Sequence, residues 1–260
     1  VLVAPASWRA IDFISDLHLQ VSEPATMAAW QHYMVNTQAD ALFILGDLFE
    51  VWVGDDITTA RGDLNGAFAL NCQHVIKATS RRLPVYLMHG NRDFLIGADF
   101  AKACRITLLP DPVVLSFDNQ RWLLSHGDAL CLDDVDYQQF RRQVRSSAWC
   151  STFLAKPQSE RQDIALSLRA QSESLKTSGV AYADVDTPMA LQWLETAQAC
   201  TLIHGHTHKP GDYALGSVNP KLMRRLVLSD WDATAAPPRL EVLRLQKACE
   251  PERVSLTQAF

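Results

Sequence analysis

No stretch of the 260-residue chain is apolar for the roughly 20 residues that a bilayer crossing needs. The N-terminus also lacks a charged segment leading into an apolar stretch and a small-residue cleavage site. These absences imply a protein that is soluble or only peripherally held at a membrane; because the chain starts at Val1 rather than methionine, a trimmed start stays open. Paired cysteine spacing is missing too. Cys72, Cys104, Cys131, Cys150, Cys200 and Cys249 are scattered with no CxxC, which disfavours a secreted disulfide frame and points to reduced thiols. Positive charge is not in excess: 24 Lys and Arg stand against 29 Asp and Glu, a net charge of -5 that disfavours a non-specific nucleic-acid binder and leaves room only for a local basic patch. No internal repeat or low-complexity segment breaks the chain.

What is present is apolar residue enough, 48%, to bury one large domain or one domain carrying a sizeable insertion. Short apolar runs alternate with helical patterns. Ile11–Ile14, Ala41–Leu45 and Val85–Met88 read as buried strands. Glu23-Pro24 opens a helix with Met27, Trp30 and Met34 on one face, and Phe68, Cys72, Val75 and Ile76 form the stripe of a second. Gly97–Ala103 predicts a short helix. Val113–Phe117 and Arg121–Leu124 flank an Asp118-Asn119 turn and predict a hairpin. From 133 to 185 the strand signal disappears and Tyr137, Phe140, Val144, Trp149, Phe153, Ile164 and Leu168 recur at helical spacing. Thr187-Pro188 then reads as a helix start, with threonine as cap. Thr201–Ile203, Leu226–Leu228 and Leu240–Leu245 complete the strands, and the tail from Lys247 gives no pattern. The expected fold is α/β: layered mixed sheets flanked by helices, with core segments 1–132 and 186–260 around a helical insertion at 133–185.

Five of these strands end in residues that can bind metal. Asp16-Leu17-His18, Gly46-Asp47, Gly90-Asn91-Arg92-Asp93, His126-Gly127-Asp128 and Gly205-His206-Thr207-His208 each follow an apolar run. Each alone is ordinary turn chemistry. Together they matter, because ligands bind at the carboxyl edge of open α/β sheets. Asp16 and His18, like His206 and His208, are two apart and on an extended backbone point to one side. Imidazole mixed with carboxylate suits Mn, Fe or Zn better than calcium, and the absence of cysteine disfavours a thiolate zinc site. Seven candidate ligands exceed what one ion takes. Two ions about 3.5–4 Å apart need a bridging group and can drive in-line phosphoryl displacement by water.

In motif order and placement the chain resembles the calcineurin-like metallophosphoesterases. The resemblance implies one divalent ion on Asp16, His18, Asp47 and His208 and a second on Asp47, Asn91, His126 and His206, with Asp47 bridging and Mn2+ the favoured metal. Many members carry histidine after the asparagine, whereas Arg92 stands here. Arginine cannot shuttle a proton near neutral pH, but its fork of donors can clamp phosphate oxygens. With Leu48-Phe49-Glu50, Trp52 and Gly54-Asp55-Asp56, this resembles the branch that cleaves UDP-2,3-diacylglucosamine in lipid A biosynthesis.

That resemblance implies water attack on the α-phosphorus, giving UMP and 2,3-diacylglucosamine 1-phosphate. Asn91, Arg92 and His206 would be catalytic and also touch substrate, and Trp52, Asp134, Tyr137, Arg169, Ser172 and Lys176 would contact the lipid or its headgroup. After Ser172 the run Glu173-Ser174-Leu175-Lys176 departs from the asparagine and lysine of the branch. The implied partners are a lipid-linked UDP-sugar and the cytoplasmic leaflet of the inner membrane, with no nucleic acid and no obligate protein partner. Generic nucleotide or phosphoprotein hydrolysis, and a non-catalytic scaffold, are the competing readings. Asp55 and Asp56 read as a solvated acidic loop, and Asp93 and Asp128 as groups that orient histidines or cap local backbone. Arg141, Arg142, Arg145, Lys156, Arg161, Arg169 and Lys176 are expected to form a solvated face or to meet anionic headgroups.

Overall fold

The computed structural model describes residues 1–60, 62–177, 183–218 and 220–256, without the side chains of 170–177 and 218. The strands are β1 (Leu2–Val3), β2 (Ala10–Ile14), β3 (Ala41–Leu45), β4 (Val85–Met88), β5 (Thr107–Leu109), β6 (Val113–Phe117), β7 (Gln120–Leu124), β8 (Thr201–His204), β9 (Gly211–Val218), β10 (Lys221–Val227), β11 (Glu241–Gln246) and β12 (Glu252–Ser255). They form two six-stranded sheets, ordered β1-β6-β7-β8-β10-β9 and β12-β11-β2-β3-β4-β5. The helices are α1 (Pro24–Asn36), α2 (Leu64–Ser80), α3 (Ala98–Cys104), α4 (Val135–Val144), α5 (Ser147–Leu154), α6 (Gln158–Thr177) and α7 (Thr187–Ala197).

Side-chain alternation builds the layers. Ile11, Phe13, Phe43 and Leu45 point into one cluster with Leu115, Phe117, Trp122, Leu124 and Ile203, so the two sheets pack face to face. Residues of the opposite parity, Ile14, Leu42, Ile44, Val85 and Leu87, pack on Met27 and Trp30 of α1, Cys72 and Ile76 of α2 and Phe100 of α3. On the far face of the other sheet, Leu123 and Leu202 meet Ala190 and Leu194 of α7. Because β2, β3 and β4 are covered on both faces, β3 and β4 read as unbroken apolar runs rather than alternating ones, and only Asp12 interrupts the run of β2.

The topology also explains where the polar motifs gather. β2, β3 and β4 are mutually parallel neighbours, as are β7 and β8. Their carboxyl ends lie at a shared edge, each followed by one of the five motifs.

The expected hairpin forms at β6 and β7, with Asp118 and Asn119 both at positive φ as a tight two-residue turn requires. Three expectations need correction. The cap of α7 is Asp186, whose side chain accepts from Met189 N at 2.7 Å; Thr187 is already helical. The strand expected at Leu226–Leu228 is the end of the longer β10, paired antiparallel with β9. The patternless tail supplies β12, held against β11.

Candidate metal centre

The strand ends present their side chains through backbone strain. Asp16, His18, Asp47, His206 and His208 all have φ between 48 and 65°, a left-handed conformation that non-glycine residues seldom adopt and that costs of order 1–3 kcal/mol each. The turns are also crowded. A Cβ on Gly90 would stand 2.0 Å from Asp47 Oδ1, and one on Gly205 would stand 2.2 Å from Asp16 Oδ2, so only glycine fits at either place. Asp93 locks two turns together, its Oδ2 accepting from Leu48 N and its Oδ1 from Gly90 N, both at 2.8 Å. It therefore holds backbone rather than orienting a histidine.

All seven expected ligands converge at this edge. Ligand atoms of Asp16, His18 and His208 lie within 4.8 Å of one another, as do those of Asp16, Asp47 and His126. Asp47 spans the middle: its Oδ2 is 4.0 Å from His18 Nε2 and its Oδ1 is 3.8 Å from His126 Nε2. Asn91 Oδ1 sits 3.0 Å from His126 Nε2 and 2.9 Å from His206 Nδ1. Asp16, which the resemblance assigned to one ion only, belongs to both close groups.

The donor set fits divalent cations. His18 Nε2 and His208 Nε2 face each other at 3.3 Å, about the separation of two donors that share an ion at roughly 2.1 Å. Asp16 Oδ1 is buried and accepts no hydrogen bond. Charge is unbalanced in the same way. Burial pushes the Asp47 carboxyl up to about 6 against the pull of His126 and His18. Burial alone would raise Asp16, but His208, whose Nε2 lies 3.4 Å from its Oδ1, and the charges of His126 and His18 hold it well below the usual carboxylate range. Burial brings His206 down to about 3, whereas Asp47, Asp128 and Asp16 overcome burial and raise His126 to about 9. Ionised carboxylates and neutral imidazoles coexist here most readily around bound cations.

Arg92 donates its backbone N–H to Asp47 Oδ1 at 2.8 Å, and its guanidinium lies 3.7 Å from Glu50 Oε1. Arg169 Nε is 3.2 Å from that same oxygen. Trp52 lines a cavity of ≈ 170 Å³ with Leu19, Phe49, Phe68 and Leu166, bordered by Glu50 and Arg169. Tyr137 stacks on His206 with ring centroids 6.0 Å apart. Asp134 is exposed, and its Oδ1 caps α4 by accepting from Tyr137 N. The side chains of Ser172 and Lys176 lie outside the described residues.

Several sequence readings change. Asp55 is no solvated loop residue: it accepts from Trp52 Nε1 and Gly97 N through Oδ1 and from Phe100 N through Oδ2, capping α3. Asp56 pairs with Arg161, which is buried and also bonds Val53 O. Arg141 and Arg145 turn inward to Asp128, so four of the seven basic side chains face partners on the core rather than open solvent or headgroups. Glu50 was noted only as part of a run. A carboxylate three residues past Asp47 was its only signal.

The sequence model of the calcineurin-like phosphoesterase family matches residues 10–210, and the chain belongs to that family. Its members use divalent metal ions, in keeping with the grouped ligands. A UDP-2,3-diacylglucosamine hydrolase of Bordetella pertussis is 42% identical over 229 residues, covering 86% of this chain and 87% of that protein. Proteins of the same name from Aromatoleum aromaticum and Escherichia fergusonii are 41% and 40% identical, each match covering 84% of this chain and 88% or 90% of theirs.

Proposed function

We propose that this chain hydrolyses the diphosphate of UDP-2,3-diacylglucosamine, releasing UMP and 2,3-diacylglucosamine 1-phosphate, the step that its resemblance places in lipid A biosynthesis. The observation that carries the reading is one juxtaposition: the strained ligand cluster, the Arg92 and Arg169 guanidiniums and an apolar cavity lined by Trp52 all border Glu50. A water-soluble nucleotide or phosphoprotein needs no such apolar wall.

Asp16, His18, Asp47 and His208 would hold one divalent ion, and Asp47, Asn91, His126 and His206 the other, with manganese our choice of metal. Bound there, the ions would supply Lewis-acid polarisation of phosphoryl oxygens and a lowered pKa for water. The chain's own groups do the rest. Arg92 clamps the phosphate in the orientation its backbone bond to Asp47 sets, and Asn91 and His206 face the same phosphoryl group. Water adds to the α-phosphorus and releases a proton to solvent, the bond from that phosphorus to the bridging oxygen breaks, and the sugar phosphate departs with the bridging oxygen and the bonding electron pair. Its phosphate is a stable leaving group.

Residues 133–185 would act as a cap over this site, with Tyr137 and Arg169 toward the substrate and Asp134 shaping the first cap helix; the resemblance adds Ser172 and Lys176 as substrate contacts. Among the described residues no helix is long and apolar enough to cross a membrane. Exposed Val135, Phe140, Leu154 and Leu166 on the cap helices suit peripheral contact with the cytoplasmic leaflet, where such a lipid would be met. The test is UMP release from UDP-2,3-diacylglucosamine by the purified protein with Mn2+. Release that a chelator abolishes supports the reading; turnover of simple phosphodiesters without UMP release removes the lipid assignment.

A further inference from the structure

Glu50 is almost fully buried, yet it faces three cationic or ionisable side chains. Its Oε2 lies 2.7 Å from His18 Nδ1, while Oε1 lies 3.2 Å from Arg169 Nε and 3.7 Å from Arg92 Nη1. One carboxylate thus has an oxygen on each side of a boundary, the first toward the ligand cluster and the second toward both arginines.

This placement is fixed by backbone. Leu19, the residue after His18, forms a bridge with Phe49, and its N–H donates to Leu48 O at 3.0 Å. Glu50 N returns a bond to Leu19 O at 3.2 Å. The segments that carry His18 and Glu50 are therefore laced together, and neither side chain can drift from the other without breaking those bonds.

We infer that Glu50 is a positioning residue that joins the His18 side of the metal centre to the Arg92–Arg169 phosphate clamp. A carboxylate 2.7 Å from Nδ1 favours the His18 tautomer protonated there, which leaves the Nε2 lone pair toward His208 and Asp47. The other oxygen holds two guanidiniums side by side that would otherwise repel each other beside a dicationic centre. Glu50 is not itself among the grouped ligands.

The inference rests on the proposed metal and phosphate roles, so its test separates them by reading metal binding without substrate. Mn2+ alone is titrated into metal-free wild type, Glu50→Gln, Glu50→Asp, His18→Ala and the Glu50→Gln/His18→Ala double variant. Removing a group that orients a metal-binding histidine lowers affinity by about 10–100-fold. That loss is expected in Glu50→Gln and, in part, in Glu50→Asp, which keeps the charge. In the His18→Ala background the Glu50→Gln step should cost little further affinity, whereas a merely structural glutamate would give independent losses. In the substrate assay, Glu50→Gln should raise KM as well as lower kcat.

Wild-type Mn2+ affinity in Glu50→Gln, affinity in Glu50→Asp no better than in Glu50→Gln, or independent losses in the double variant would each overturn the inference. Coupled losses in a protein that releases no UMP would leave Glu50 its role and remove the substrate assignment instead.

Discussion

The Tyr137 hydroxyl donates a 2.7 Å hydrogen bond to Asp128 Oδ2, the oxygen that Arg141 Nε and Arg145 Nη2 also reach, at 2.8 and 3.2 Å. Three side chains from α4 and its C-cap thus hook onto one buried carboxylate two residues past His126. Tyr137→Phe removes one bond to a charged acceptor and should cost about 1.5–3 kcal/mol. Asp128→Ala strands both arginines and should cost more, about 3–5 kcal/mol. Urea denaturation of the metal-free variants measures both; equal, negligible losses would show that the hook does not hold the helix.

The ligand cluster depends on residues that cannot bind metal themselves. Gly90→Ala places a methyl group where Asp47 Oδ1 now lies, and Asp47 must then move. Mn2+ affinity should fall at least roughly tenfold, as it does when groups supporting a metal site are lost. Calorimetric titration checks this, and unchanged affinity would mean that Asp47 is not a ligand.

Among the described residues Arg92 meets Asp47 through its backbone N–H while its guanidinium reaches Glu50, so its side chain can be changed without disturbing the bond to Asp47. Arg92→Ala should bind Mn2+ like wild type while kcat falls about 10²–10³-fold, the scale for one lost donor to a developing oxyanion. Arg92→Lys should recover little, because an ammonium cannot match a two-point clamp. Steady-state kinetics beside metal titration separate the two effects.

Stability should also carry a thiol signature far from the site. Burial pushes the Cys104 thiol up to about 12, and the Asp55 charge adds to the shift. An unfolded cysteine titrates near pH 8.5. Between about pH 8.5 and 12 the unfolded chain therefore binds fewer protons at this residue, and its stabilising contribution, complete below pH 8.5, is lost as pH rises. The slope of unfolding free energy against pH in the alkaline range should be shallower in Cys104→Ala; an identical slope would contradict the assignment.

How much of this was legible depended on the distance between cause and partner. The ligand motifs stood out because each follows an apolar strand such as Leu42–Leu45, a local pattern that also fixes which edge the motif occupies. Arg92 stood out because an arginine follows the asparagine where many family members carry histidine. Asp55 and Asp56 were not, since apart from nearby Trp52 their partners Gly97, Phe100 and Arg161 are 42, 45 and 105 residues away. Asp12 shows the same limit. It sits fully buried inside β2 because Arg244, 232 residues on, pairs with it alongside the hydroxyls of Tyr33 and Thr37. The hairpin of β9 and β10 carries exposed residues among its apolar ones, so only its buried end gave a strand pattern.

Water attack on the α-phosphorus of UDP-2,3-diacylglucosamine would leave its oxygen in UMP. Hydrolysis with Mn2+ in water enriched with heavy oxygen, followed by mass spectrometry of both products, tests it most directly. One heavy oxygen in UMP and none in 2,3-diacylglucosamine 1-phosphate is the expected result. Label in the sugar phosphate, or no cleavage at all, would contradict it.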